Sequence, residues 1–289
     1  MELQGIHVPL VTPFAADGSL ATDALDRLAR QCLEAGAAGL VALGTTGEPG
    51  TLTAEERRTV VETAARACRE HGARLTVGVP GADTRQTAAS LAALDGVADT
   101  ALVLVPPFVR AGEAGVLAHF TELAAGSPVP LIVYHVPYRT GQPLGAGVLR
   151  RLLALDGVAG MKLSTGAVDQ DAVELLADGP AGVLAGDDVL LSPLLALGAA
   201  GGILASAHLA TERFVELADA WRKGDLDHAR ALGHRLVRLS AAAFAEPNPS
   251  VVKGVLHAQG RIPTPGVRLP LLPAGEQAVG RALALAGEF

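Results

Sequence analysis

Eight short apolar runs, most of them closed by Gly, Pro or Thr and each followed by a longer helical pattern, set the strongest limit on how this chain can fold. The runs cover residues 6–12, 39–43, 74–79, 101–105, 131–136, 159–163, 182–185 and 202–205. Helical patterns follow them at 23–35, 54–70, 85–94, 113–125, 147–155, 169–177, 191–197 and 212–222. The runs are apolar on both faces, which suits a parallel sheet covered by helices rather than a half-wetted antiparallel one. Eight βα units predict an α/β fold, a (β/α)8 TIM barrel, with a doubly wound open sheet as the second choice. Thr22, Thr53 with Glu56 as a capping box, and Asp83 read as helix N-caps. Beyond Asp225 lie further helical patterns at 226–245, 250–259 and 276–285, and no low-complexity linker precedes them. The expected organisation is a catalytic barrel over 1–224 with a C-terminal helical extension over 225–289 packed on it.

With 289 residues the chain is long enough for one barrel, and 49% hydrophobic residues supply a large core. A formal net charge of −7 leaves no basic surface for a phosphate backbone, so nucleic acid is an improbable partner. Cys32 and Cys68 both fall in helical patterns and match no metal or redox spacing. The first residues lack a leader pattern, and no run of about 18 apolar residues occurs. These features predict a protein of a reducing cytoplasm with no membrane partner.

Only three lysines occur, Lys162, Lys223 and Lys253, and Lys162 sits inside the apolar run Val158-Ala159-Gly160-Met161-Lys162-Leu163. Burial disfavours an ammonium, and a neutral lysine amine is a nucleophile toward carbonyl carbon. Lys162 is therefore a candidate for Schiff-base chemistry; the bland alternative is a lysine that snorkels past its strand end. In a barrel, chemistry gathers at the carboxyl ends of the strands. Strand two ends in Gly44-Thr45-Thr46-Gly47-Glu48, and strand five runs into Tyr134-His135-Val136-Pro137-Tyr138-Arg139-Thr140-Gly141. Both of the chain's tyrosines, Tyr134 and Tyr138, lie there. A phenol can pass protons, though it can equally be packed with its hydroxyl tied to backbone. The Gly-Thr-Thr-Gly turn offers hydroxyls and backbone N–H groups to a small carboxylate, or is an ordinary loop. Arg139 has the planar fork for a carboxylate, or is a solvated surface residue. Asp187 and Asp188 have no ligand-spaced partners, so helix capping is expected of them and no metal.

Taken together, these motifs resemble the dihydrodipicolinate synthase and N-acetylneuraminate lyase family of class I pyruvate-dependent aldolases. The resemblance is carried by Gly44-Thr45-Thr46-Gly47-Glu48, by Tyr134-x-Val136-Pro137-x-Arg139-Thr140-Gly141, and by Gly160-Met161-Lys162 with Ser164-Thr165-Gly166. It continues through Gly186-Asp187-Asp188, Glu246-Pro247-Asn248-Pro249, Val252-Lys253 and Leu269-Pro270-Leu271. It implies a barrel with a C-terminal helical extension, usually a homotetramer, working without a cofactor on pyruvate and an aldehyde. By the same resemblance Lys162 forms the imine, Tyr134 relays protons, and Thr45 and Thr46, with the Gly47 turn, hold the pyruvate carboxylate and a hydroxyl network. Gly186 and Ile203 match positions lining the pyruvate pocket. Arg139 matches the position that binds the carboxylate of aspartate semialdehyde in the synthase branch.

Three departures stand out. Phe108 occupies the position of a tyrosine that completes the relay across a subunit interface, and Tyr138 is a candidate substitute. Residues 48–55 lack the histidines tied to lysine feedback in some synthases, so no such inhibition is expected. His135 and His208 stand where asparagine is common, which suggests altered second-substrate specificity. The alternatives are an aldolase for a sugar-derived 2-oxo acid (2-keto-3-deoxygluconate or N-acetylneuraminate type), a phosphate-binding barrel built on Gly201-Gly202, and a degenerate non-catalytic binding homologue.

Overall fold

Residues 3–179 and 181–289 are described by a computed structural model. The first half of the chain alternates β1 (Gly5–Pro9), α1 (Thr22–Glu34), β2 (Gly39–Ala42), α2 (Ala54–His71), β3 (Arg74–Val79), α3 (Thr84–Ala92), β4 (Thr100–Leu104) and α4 (Gly112–Gly126). It continues with β5 (Leu131–His135), α5 (Pro137–Thr140), α6 (Ala146–Leu153), β6 (Val158–Leu163), α7 (Gln170–Ala177), β7 (Val183–Ala185), α8 (Leu191–Ala196) and β8 (Gly201–Ile203). Four helices follow: α9 (Thr211–Lys223), α10 (Leu226–Ala243), α11 (Ser250–Ala258) and α12 (Glu276–Ala286). The eight strands pair in chain order and close into a parallel barrel, which excludes the open doubly wound sheet. All eight expected strands exist.

Tertiary contacts divide the chain into two compact units, residues 1–5 with 76–203 and residues 6–75 with 204–289. In the first, β5 and β6 are paired along their whole lengths with one irregularity: Leu131 stands opposite Val158, but Ile132 stands opposite Gly160. Ala159 is thus an extra residue, and it advances everything after it by one position. Tyr134 meets Lys162 as a result, and Lys162 in turn meets Leu184 on β7.

In the second unit α1 buries Ala24, Leu25, Leu28, Ala29, Cys32 and Leu33, the i, i+3, i+4 stripe of an amphipathic helix, and packs on α2. α10 packs on α9 and α12, and α11 packs on α12. On α11 every residue from Ser250 to Leu256 is buried. β1 pairs with β2 from His7↔Gly39 to Pro9↔Val41. The pairing ends there, short of the predicted Thr12: the Leu10 N–H still donates to Val41 O at 2.9 Å, and the Val11 N–H donates to His208 Nε2 at 3.1 Å.

Other boundaries differ for local reasons. Thr22 is not a cap: α1 starts at Thr22 itself, and Ala21 holds the N-cap position with no side-chain bond. The Pro137–Thr140 segment, read as loop, is a short helix, with Pro137 at its first turn and Gly141 closing it at φ 73°. Asp83 caps α3 through Gln86 N. Thr53 and Glu56 form the complete capping box on α2. Thr53→Ala should therefore lower unfolding free energy by about 1 kcal/mol with the fold kept, measurable as a lower urea midpoint at unchanged m.

Candidate active site

Lys162 and Tyr134 each expose only 8% of their surface, and the Lys162 Nζ lies 4.5 Å from the centre of the Tyr134 ring. Among the described residues no carboxylate forms an ion pair with Lys162. A buried lysine without a counter-ion keeps its amine available for reaction rather than bound in a structural pair.

Alternation along β6 puts Ser164 on the same face as Lys162, and Gly186 stands on that face two residues past Leu184. A Cβ on Gly186 would lie 2.0 Å from Ser164 Oγ and 2.8 Å from both Cγ and Cε of Lys162. Glycine is required here because the lysine stem runs directly over the backbone. Ser164 is wholly buried and its hydroxyl has no hydrogen-bond partner among the described residues. Ile203, at the end of β8, is 1% exposed.

After β5 the chain turns outward. Tyr138 and Arg139 are exposed on α5, with the guanidinium 5.9 Å from the Tyr138 ring centre. The Tyr138 hydroxyl donates to Asp187 Oδ1 at 2.9 Å, and Asp187 Oδ2 accepts the Gly166 N–H at 2.7 Å. Asp187 therefore ties two loops together and makes no side-chain cap, a correction to the capping role expected of it. Desolvation of the phenol, together with the Asp187 carboxylate, holds the Tyr138 proton well above the ordinary tyrosine range. A phenol so placed is a poor acid. Phe108 is 87% exposed in the left-handed region at φ 68°, and its N–H donates to Thr140 O.

The two histidines are both buried. His135, 2% exposed, lies beside Tyr134 in sequence and so on the other face of β5; its Nδ1 has no partner among the described residues. His208, 1% exposed, takes the Val11 N–H on Nε2, while its Nδ1 lies 3.8 Å from Cys32 Sγ. Burial pushes His135 down to about 4, against a small opposing pull from Asp169 and Asp171. Burial and the nearby Arg261 push His208 down to about 3.

In the second unit Thr45 is exposed, whereas Thr46 and Gly47 are buried in one tight turn. Asn248 Nδ2 donates to Thr46 Oγ1 at 3.0 Å, and Thr12 Oγ1 donates to Gly47 O at 2.7 Å. Below the turn lies a group that sequence reasoning left unassigned. Lys253 and Glu48 form an ion pair at 2.8 Å in which neither side chain has any exposed surface. The available signal was the one that flagged Lys162: Lys253 is a rare lysine in an apolar run, Val251 to Leu256.

A closed barrel holding a buried lysine, without an acidic partner among the described residues, against a buried phenol is the arrangement of an imine-forming aldolase. The chain belongs to the dihydrodipicolinate synthetase family, whose model matches residues 2–285. It is 36% identical over 278 residues to a 4-hydroxy-tetrahydrodipicolinate synthase of Methanothrix thermoacetophila, covering 95% of this chain and 92% of that protein. A Moorella thermoacetica protein of the same name is 38% identical over 281 residues, covering 95% and 94%. Among solved structures, the chloride-inhibited dihydrodipicolinate synthase of Acinetobacter baumannii complexed with pyruvate superposes at a TM-score of 0.93, with 33% identity over 99% of both chains. The Thermotoga maritima dihydrodipicolinate synthase reaches 0.94 at 28% identity, covering 100% of this chain and 99% of that one.

Gly186→Ala should displace the Lys162 stem and lower kcat/KM by about 100-fold or more with circular dichroism unchanged, since an ångström of misplacement has that effect. The histidines predict an acid limb of stability. Unfolded histidine takes its proton near 6.5, whereas folded His135 resists until about 4 and His208 until about 3. Stability is therefore lost as pH falls from about 6.5 toward these values, and His135→Asn should flatten the upper part of that slope in a thermal-midpoint titration.

Proposed function

We propose that this chain is a Schiff-base lyase of the 4-hydroxy-tetrahydrodipicolinate synthase type, joining pyruvate to aspartate semialdehyde. The observation that carries this reading is the buried Lys162 amine, without a carboxylate partner among the described residues, on the ring of Tyr134. Lys162 Nζ attacks the pyruvate carbonyl to give a carbinolamine. Tyr134 passes a proton to the departing hydroxyl, water leaves and the imine forms. Loss of a C3 proton gives the enamine, whose C3 attacks the aldehyde carbon of the second substrate. The amino group of that substrate then displaces Lys162 from the imine carbon, closing the ring and freeing the lysine.

Thr45 and Thr46, with the Gly47 turn, would hold the pyruvate carboxylate, and Gly186 and Ile203 would line its pocket. Arg139, exposed and unpaired with any acidic residue among the described residues, suits the carboxylate of the incoming aldehyde. Tyr138, its proton held by Asp187, is a better anchor for the Gly166 loop than a replacement relay. The barrel over 1–224 would carry the chemistry, with 225–289 as its helical extension. A homo-oligomer, tetramer or dimer, is supported by the exposed apolar pair Phe108 and Val109. Among the described residues no helix is long and apolar enough to cross a membrane, and a cytoplasmic setting fits an enzyme of soluble metabolism.

Borohydride reduction in the presence of pyruvate should leave a reduced pyruvyl adduct on Lys162, located by peptide mass spectrometry and lost in Lys162→Ala. An unmodified Lys162 would remove the imine mechanism and favour the non-catalytic homologue. Turnover with aspartate semialdehyde should exceed turnover with sugar-derived 2-oxo acids at matched protein. The reverse order would move the chain to the sugar-acid branch.

A further inference from the structure

The Gly44–Gly47 turn is bracketed by two non-glycine residues in the left-handed region, Leu43 at φ 55° and Glu48 at φ 54°. Such backbone is strained and persists only where its surroundings over-determine it. The surroundings here are specific. Both oxygens of Glu48 are engaged, Oε1 by Lys253 Nζ at 2.8 Å and Oε2 by the Arg268 backbone N–H at 2.9 Å. Lys253 Nζ also donates to Thr12 O at 2.8 Å and lies 4.2 Å from the Phe14 ring centre. Thr12 reaches the turn through its own hydroxyl on Gly47 O. The Arg268 guanidinium, 4.3 Å from the same ring centre, completes the cluster.

A buried ion pair adds little to stability compared with apolar residues of the same volume, so its presence calls for another reason. The turn that Glu48 closes supplies one, since it carries Thr46, to which Asn248 donates. Because Asn248 Nδ2 donates to Thr46 Oγ1, the Thr46 hydroxyl hydrogen is directed elsewhere, which makes this threonine a donor toward an anionic group.

We propose that Lys253 and Glu48 are positioning residues that hold the Gly44–Gly47 turn in the shape that receives the 2-oxo acid carboxylate, while Asn248 orients the Thr46 hydroxyl to donate to it. None of the three touches the reacting atoms. The inference rests on the pyruvate-imine reading above.

Full-length Lys253→Met, Glu48→Gln, Asn248→Ala and the double variant Glu48→Gln/Lys253→Met separate positioning from stability. Each single variant should raise KM for pyruvate by about tenfold with kcat within about threefold. Borohydride should still label Lys162 at saturating pyruvate. The single charge variants leave an uncompensated buried group and should also unfold more easily; the double variant should regain stability but keep the raised KM. Lys253→Arg, which retains a donor and the charge, should restore most of the lost affinity.

A double variant with wild-type KM would reduce the pair to a structural role and overturn the proposal. Asn248→Ala buries no charge and decides the matter even where the charged variants do not fold: an unchanged KM overturns the proposal, a raised one supports it. Wild-type protein that borohydride fails to label would instead be a failure of the imine reading, which keeps the two outcomes distinct.

Discussion

Ala159 is one residue more than β5 can pair, and the register it creates governs everything around Lys162. Were Ala159 paired with Ile132 in regular register, Tyr134 would stand opposite Met161, and the lysine would fall beside His135 on the other face. Side chains alternate along a strand, so a slip of one residue exchanges the two faces completely. The same alternation then puts Ser164 with Lys162, and the next strand answers with Gly186, whose missing side chain leaves room for the lysine stem. A parallel strand pair with a single bulge thus brings the Lys162 amine onto the face of the Tyr134 ring.

Two buried lysines in one chain show how burial alone does not define a role. Lys253 is fully enclosed, but a carboxylate, a carbonyl and an aromatic face surround its ammonium. Desolvation still lowers its proton affinity, against the pull of Glu48, yet every donor has an acceptor or a ring to face. Lys162 has a ring face and no carboxylate among the described residues. The difference is one of partners rather than of depth: a satisfied charge holds structure, while an amine without a counter-ion can exchange its proton for a bond to carbon.

Much of this was legible in the residues. Eight apolar runs marked eight strands because a parallel sheet buried on both faces leaves an unbroken apolar signature. The Thr53–Glu56 box and the Asp83 cap were readable because both are local, satisfied within three residues of themselves. Thr22 failed as a cap because the helix began one residue earlier than its pattern suggested. Asp187 was misread for a different reason: its partners, Tyr138 and Gly166, are 49 and 21 residues away, and no spacing rule connects them. Lys253 carried the same apolar-run signal as Lys162, but its partner lies 205 residues off.

The sequence by itself determined the strand count, the order of strands and helices, and the candidates proposed for imine chemistry. Those properties reside in hydrophobic period and side-chain type, which act over a few residues. Only the tertiary structure decided the β5–β6 register, the closure of the sheet, and the pairing of Glu48 with Lys253. It also decided that His208 is enclosed against Val11 and Cys32 and not presented to solvent. Register and ion pairing depend on groups distant in the chain meeting out of water, and that encounter exists only once the core has formed.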